Sequence, residues 1–377
     1  MIRPLSMLNY FRHNKKSLLC SLVIIIISVV FVYNFECFIE SIKTTMYSVD
    51  ANRFEYLSVI SPSLESQDIC DGAIAGELNS ESSIENVVPV VYYKINFSVP
   101  GSATHTAAIG VNEEIRSTIM EKMDITLEEG RLPVSGAKEI AIDQNVAMNN
   151  HLGVGDVIGK DVDPTQSLPE SYTITGILLS NSYVSFIGSP DTEKSNVSNS
   201  SKCLLVFHKN GFAKEAEKAI EKYKSQKYHV LTIKEYEKLF QQNSQTFNIL
   251  DMIALFAVAV MSVCLTCFRY TQYFQSKEEH GILNAIGYSS KTIMKRAFLE
   301  IMTTNIIGYA IGIGISLLLA SSIMNSLFTD VGGTGIVISL KAILYSLFAP
   351  LCTTIMLVLP VGSMMKKTDP LSIIEGH

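Results

Sequence analysis

The chain contains no tryptophan, and only 18% of its 377 residues are charged. Soluble domains carry roughly 25% charged residues, so this composition argues against an ordinary soluble enzyme. Seven cysteines are too few for a disulfide scaffold in a chain of this length. The phosphate-cradling pattern G-x-x-x-x-G-K-[ST] is missing, and so are H-E-x-x-H and G-x-S-x-G. The seven histidines are scattered, and none pairs with a second ligand at helical spacing. The sequence therefore offers no catalytic residue and no metal ligand set. A net charge of −6 gives no basic footprint for nucleic acid. What the chain has in excess is apolar residues, at 47%, with a mean hydropathy of +0.26. That balance excludes a disordered chain, and the length exceeds one domain.

The apolar excess is concentrated in four blocks. Leu18 to Phe35 contains no charge and is long enough to cross a hydrocarbon core. Arg3, Arg12, Lys15 and Lys16 before it resemble the start of a signal peptide. No small-x-small cleavage site follows, so the block reads as an uncleaved anchor. The other blocks begin at Phe247, Phe298 and Ile336, and each carries one charge near its start: Asp251, Glu300 and Lys341. Charges near span ends read as interfacial anchors. Lys and Arg cluster before the first span, between the second and third, and after the fourth, while Asn325–Gly335 has none. Positive residues stay inside, so four spans with both termini in the cytoplasm satisfy every loop.

These patterns predict a helical membrane protein with four transmembrane helices and a large mixed α/β extracytoplasmic domain between helices 1 and 2. The division along the chain is as follows. An amphipathic cytoplasmic helix (1–17) precedes helix 1 (18–38), the outer domain (39–246) and helix 2 (247–268). A cytoplasmic loop (269–297), helix 3 (298–325), a short external loop (326–336), helix 4 (337–361) and a cytoplasmic tail (362–377) complete it. The region outside, taken from Glu36 to Thr246, holds 18 Lys/Arg and 29 Asp/Glu, an acidity that reads as solvated surface. Strand patterns occur at Phe54–Ile60, Val87–Phe97, Glu139–Ile142, Tyr172–Leu178 and Cys203–Phe207. Helical patterns occur at Gln67–Leu78, Gly211–Lys224 and Thr232–Gln245, the last running into helix 2. Asp161–Pro169 and Ser180–Ser201 read as exposed loops. Cys264-Leu-Thr-Cys267 reads as small packable residues rather than a redox couple, and Cys70 could pair with Cys203.

The most informative stretch is Lys277–Glu300, KEEHGILNAIGYSSKTIMKRAFLE. Ile282, Leu283 and Ile286 can share one helical face, Gly287 is a natural stop, and Ser289 or Ser290 can cap a new helix. A compact helix–turn–helix at the cytoplasmic surface suits docking into a groove on a soluble partner. Gly308-x-x-x-Gly312 with Gly314 places small residues on one face of helix 3, either a dimer seam or packing within the subunit.

The loop resembles the signature of the FtsX-like permeases of ABC transporters, through Glu279, Gly281, Ile282, Leu283, Ala285, Ile286, Gly287, Lys291, Ile293 and Glu300. His280 stands where that family usually has an apolar residue, and Asn284 where Lys or Arg is common. The basic start Met7–Lys16 resembles the family's membrane-surface helix. Leu127–Ile158 followed by Tyr172-Thr-Ile-Thr-Gly-Ile looks like a MacB-type extracytoplasmic core. The ending Met365-Lys-Lys-Thr-Asp-Pro-Leu-Ser-Ile-Ile-Glu resembles the family's basic tail. The resemblance implies a non-catalytic permease subunit that pairs with a second permease chain, as homodimer or heterodimer, in a bacterial plasma membrane. It implies an ABC ATPase on a separate chain, which would hold ATP and Mg, so that no cofactor is expected in this one. Glu278, Glu279, Gly281, Ile282, Leu283, Ala285, Ile286, Gly287 and Lys291 would form the coupling element on that ATPase. Motion would pass to the outer domain by mechanotransmission, to export or extract a peptide, antibiotic or lipid-like substrate. An FtsX-like transmitter that controls an extracellular cell-wall hydrolase is the alternative.

Overall fold

The computed structural model describes residues 15–62, 72–168, 170–188, 201–225, 227–242, 245–275, 281–284 and 286–367. The chain forms two compact units. One comprises Met1–Glu40, Thr246–Asn325 and Ile336–His377, and the other Ser41–Gln245 with Ser326–Gly335.

Helix α1 runs Lys15–Phe54, well past the end of its apolar block. Its Ile-rich stretch would be a poor helix in water. In lipid every backbone polar group needs an internal partner, which selects the helix regardless of propensity. The outer unit then follows with β1 (Leu57–Pro62), α2 (Gly72–Asn79), β2 (Ile84–Val99), β3 (Ser102–Val111) and α3 (Glu113–Lys122). Next come β4 (Thr126–Gly130), β5 (Glu139–Asp143), α4 (Gln144–Asn150), β6 (Val157–Ile158), β7 (Tyr172–Leu179) and β8 (Val184–Gly188). It ends with β9 (Ser201–His208), α5 (Ala213–Glu221), β10 (Tyr228–Leu231) and α6 (Ile233–Gln242).

The strands make one mixed sheet in the order β10-β1-β9-β2-β3-β8-β5-β7-β4, with β6 paired to β7. The pairs β3–β8 and β5–β7 are parallel, and the other pairs are antiparallel. β9 explains the continuous apolar run Cys203–Phe207. Cys203, Leu205 and Phe207 join a core with Ile119 and Phe186, while Leu204 and Val206 join another with Leu78, Ala216 and Ile220. A strand buried on both faces has no reason to alternate.

Two expectations change. Phe54 ends helix α1, so the first strand begins only at Leu57. The stretch from Ser180 is not all loop, because Val184–Gly188 is a strand with every residue buried between β3 and β5. The expected helix at Gln67–Leu78 is described from Gly72, and residues 67–71 lie outside the described residues. The expected run of Thr232–Gln245 into helix 2 crosses residues 243 and 244, which also lie outside them.

Ser326–Gly335 is held within the outer unit by named contacts. Asn149 Nδ2 donates to the Val331 carbonyl at 3.0 Å, and Tyr183 OH donates to that of Gly332 at 3.1 Å. Thr334 N donates to Thr45 Oγ1 at 2.9 Å. Gly332 has φ +76°, and a Cβ there would fall 2.3 Å from the Asn145 carbonyl oxygen. α4, which forms this seat, is capped by Asp143, whose Oδ1 accepts from Asn145 N at 2.9 Å. Asp143 Oδ2 also accepts from Ser180 Oγ at 2.7 Å. Burial pushes the Asp143 carboxyl up to about 6.

The remaining helices are α7 (Gln245–Gln275), α8 (Ser290–Leu327) and α9 (Leu340–Lys367). With α1 they supply four helices long and apolar enough to cross a membrane: Leu18–Phe54, Phe247–Gln275, Lys291–Val331 and Leu340–Leu357. Below, these are spans 1 to 4. Ile25, Val29 and Val32 of span 1 pack with Val258 and Leu265 of span 2, Ile313 of span 3 and Ala349 of span 4. Asn305 Nδ2 ties span 3 to span 4, donating to the Pro350 carbonyl at 3.0 Å and to Thr354 Oγ1 at 2.8 Å. Interhelical polar bonds of this kind take the place of the hydrophobic drive that is missing between helices in lipid.

Candidate coupling site

The segment between spans 2 and 3 is shaped by a short-range motif. Residues 281–284 are helical, and the turn ends at Gly287 with φ +103°. Gly287 N donates to the Asn284 carbonyl at 3.0 Å, and Tyr288 N donates to that of Leu283 at 3.1 Å. This pair of bonds is a Schellman cap, in which glycine occupies the position that disfavours a Cβ. The motif brings the residues at its two ends together. Leu283 and Tyr288 both pack on the cluster of Tyr273, Ile293, Ala297, Ile301 and Leu357. A new helix starts at once, because Ser289 Oγ accepts from Thr292 N at 3.3 Å.

The cap sorts the apolar residues of the turn into two sets. Leu283 is drawn inward, whereas Ile282 is 56% exposed and Ile286 69% exposed. These two are four residues apart, so they stand together on one helical face. Ile286 N donates to the Ile282 carbonyl at 3.0 Å, which fixes that spacing. Gly281 is buried and Lys291 exposed. Glu278, Glu279 and Ala285 lie outside the described residues. The result is a small apolar knob, Ile282 and Ile286, held outward by the capped turn.

The glycines of span 3 divide. A Cβ on Gly308 would lie 2.8 Å from Ile25 Cγ2, and one on Gly312 would lie 2.8 Å from Val29 Cβ. Both therefore seat span 1 of the same chain. Nothing lies within 4 Å of a Cβ on Gly314.

A further site escaped sequence reasoning. Lys341 Nζ of span 4 lies 2.5 Å from Glu36 Oε1 of span 1 and 2.9 Å from Asp251 Oδ1 of span 2. Glu36 is fully buried, and its Oε2 has no hydrogen-bond partner among the described residues. Asp251 and Lys341 thus act as partners in one three-span cluster rather than as separate anchors. The signal available in the sequence was that Glu36, Asp251 and Lys341 fall at the same ends of their blocks under the four-span arrangement.

Residues 252–370 match the family model described as the FtsX-like permease C-terminal. Among solved structures, the chain is similar to the periplasmic region of MacB from Actinobacillus actinomycetemcomitans. That match has 11% identity and a TM-score of 0.28, and covers 49% of this chain and 92% of that one. It is also similar to the extracellular domain of the noncanonic ABC-type transporter YknZ from Gram-positive bacteria. Here the identity is 14% and the TM-score 0.29, with 47% of this chain and 100% of that one covered. A domain of a putative permease protein from Porphyromonas gingivalis gives 11% identity and a TM-score of 0.27, covering 47% of this chain and 90% of that one. The segment that matches this family model takes in most of span 2, the capped turn, and spans 3 and 4.

Proposed function

We propose that the chain is the permease subunit of an ABC transporter in a bacterial plasma membrane, driven by an ABC ATPase on a separate chain. The turn Gly281–Lys291 docks on that ATPase, with Ile282 and Ile286 as the apolar contact. ATP and Mg²⁺ are held by the partner. A second permease chain, identical or not, completes the assembly. Both termini are cytoplasmic, as the distribution of Lys and Arg between the spans supports. Movement of the spans is relayed to the outer domain, which extracts or exports a peptide, antibiotic or lipid-like substrate.

The observation that carries this reading is the Ile282–Ile286 knob. Two large apolar side chains stand exposed on a turn whose cap holds them there. Docking an amphipathic helical face into a groove uses anchors at this spacing. Burying an isoleucine contributes about 1.5–3 kcal/mol, so loss of both weakens the contact by at least two orders of magnitude.

The test is affinity purification of the full chain from membranes of the native cell. A nucleotide-hydrolysing subunit is recovered with the wild type and lost with I282D/I286D, while the amount of permease in the membrane is unchanged. Equal recovery with both chains refutes the assignment.

A further inference from the structure

A cavity of about 260 Å³ opens beside the capped turn, at the same end of spans 3 and 4. Its walls are Met294, Ala297, Phe298 and Ile301 of α8 and Leu357 of α9, all apolar. Lys291 and Lys295 stand at its rim. They are four residues apart, so both ammonium groups serve one helical face. No acidic residue lines the cavity, and neither lysine is in an ion pair among the described residues. The first turn of α8 adds the partial positive charge of a helix N-terminus.

The order of these groups along the helix is informative. From Lys291 to Ile301 the axis advances about 15 Å. The chain from Ile301 to Thr329 carries no charge, so the floor of the cavity lies at the depth of hydrocarbon. The rim then falls at the depth of headgroups. A soluble partner can reach the lysines and not the floor. A molecule with an anionic head and an apolar tail fits both.

We propose that this cavity binds an anionic phospholipid of the adjoining leaflet, with its phosphate on Lys291 and Lys295 and its first methylenes against Ile301 and Leu357. Phe298, which is 40% exposed, guides the remaining chain along the helix surface. The site bears on the coupling turn through shared residues. Ala297, Ile301 and Leu357 also pack against Leu283 and Tyr288, the clasp that sets the Ile282–Ile286 knob. An occupied cavity therefore stiffens the turn that meets the partner. The lipid site itself rests only on the membrane placement of spans 3 and 4, and would survive failure of the ATPase assignment.

The experiment uses the full-length chain in detergent, with native mass spectrometry after addition of phosphatidylglycerol or phosphatidylethanolamine of matched acyl chains. The wild type retains phosphatidylglycerol in preference. Each lysine near an anionic head contributes about fivefold, so K291Q/K295Q lowers retention about twenty-fivefold. K15Q/K16Q removes the same charge from the start of span 1, where neither lysine lines the cavity, and leaves retention unchanged. A297F, which fills the cavity, also lowers retention while leaving the charge intact. Equal retention of the two lipids overturns the proposal, and so does equal loss in both lysine pairs. Displacement of the lipid by inorganic phosphate alone would make the rim a simple anion site and also overturn it. Finally, the lysines belong to the partner if K291Q/K295Q keeps phosphatidylglycerol but loses the ATPase.

Discussion

Replacing Gly332 with alanine tests how firmly Ser326–Gly335 is seated in the outer unit. Two costs add at this position. The backbone has φ +76°, where a Cβ costs about 1 kcal/mol. The new Cβ also meets Asn145 oxygen at 2.3 Å, its Cα at 2.7 Å and its carbonyl carbon at 2.8 Å. All three are backbone atoms of a capped helix and cannot swing away, so overpacking adds about 1–3 kcal/mol. The sum is roughly 2–4 kcal/mol, or about 5–15 °C in melting temperature for a unit of this size. Gly136 supplies the control, because its φ is +81° but nothing lies within 4 Å of its Cβ. G136A should therefore cost only the backbone part, about 1 kcal/mol and about 2–4 °C. The assay is thermal melting of the full chain in detergent, read by circular dichroism. Hydrogen exchange should in addition show faster exchange in the Thr329–Gly333 amides of G332A alone. If G332A and G136A melt together, the close approach to Asn145 is not a real constraint and the seating argument fails.

Other perturbations have definite signs. His208 is buried and bonded to Ser58, and burial lowers its pKa from 6.5 to about 4. Its contribution is present above pH 6.5 and lost as pH falls through 4, at most about 3 kcal/mol, and melting of H208N should lack this dependence. Asp143 behaves oppositely, since burial raises its pKa from 3.8 to about 6. Its burial is best tolerated below pH 4 and costs progressively more up to pH 6, so D143N should gain on the wild type over that rise in pH. K341M leaves the buried Glu36 unpaired and should cost about 3–5 kcal/mol, with E36Q/K341M recovering most of it in a double-mutant melting series. G308L drives side-chain atoms into Ile25 and should lower the yield of folded chain on size exclusion, while G314L, in open space, should not.

The parts of the fold written in short-range chemistry were legible. The turn before span 3 is one, because Leu283, Gly287 and Tyr288 define a cap within six consecutive residues. β9 is another, since a run of five apolar residues leaves few alternatives to a buried strand. Most of what was missed depends on distant partners. β3 includes Ser102-Ala-Thr-His-Thr-Ala-Ala, in which only the two threonines favour a strand. It is a strand because β2 pairs with it over nine positions and β8 lines its other edge. β8 itself lies in a segment whose Ser, Asn and Gly content suggests loop, and only its central place in the sheet orders it. α3 was missed although Asn112 accepts from Ile115 N at 2.9 Å, a cap visible in the sequence as Asn-Glu-Glu. The Glu36–Asp251–Lys341 cluster joins three spans, and no local pattern reports such a meeting.

The notch in span 3 has a consequence for assembly. Small residues let two helices approach closely, and a bare Gly-x-x-x-Gly ridge would be an inviting surface for a neighbouring copy. In this chain Ile25 and Val29 already fill the places that Gly308 and Gly312 leave open. Another subunit could use that ridge only by evicting span 1. The ridge is thus committed to packing inside the subunit, and of the three glycines on this helix Gly314 alone is left with open space beside it.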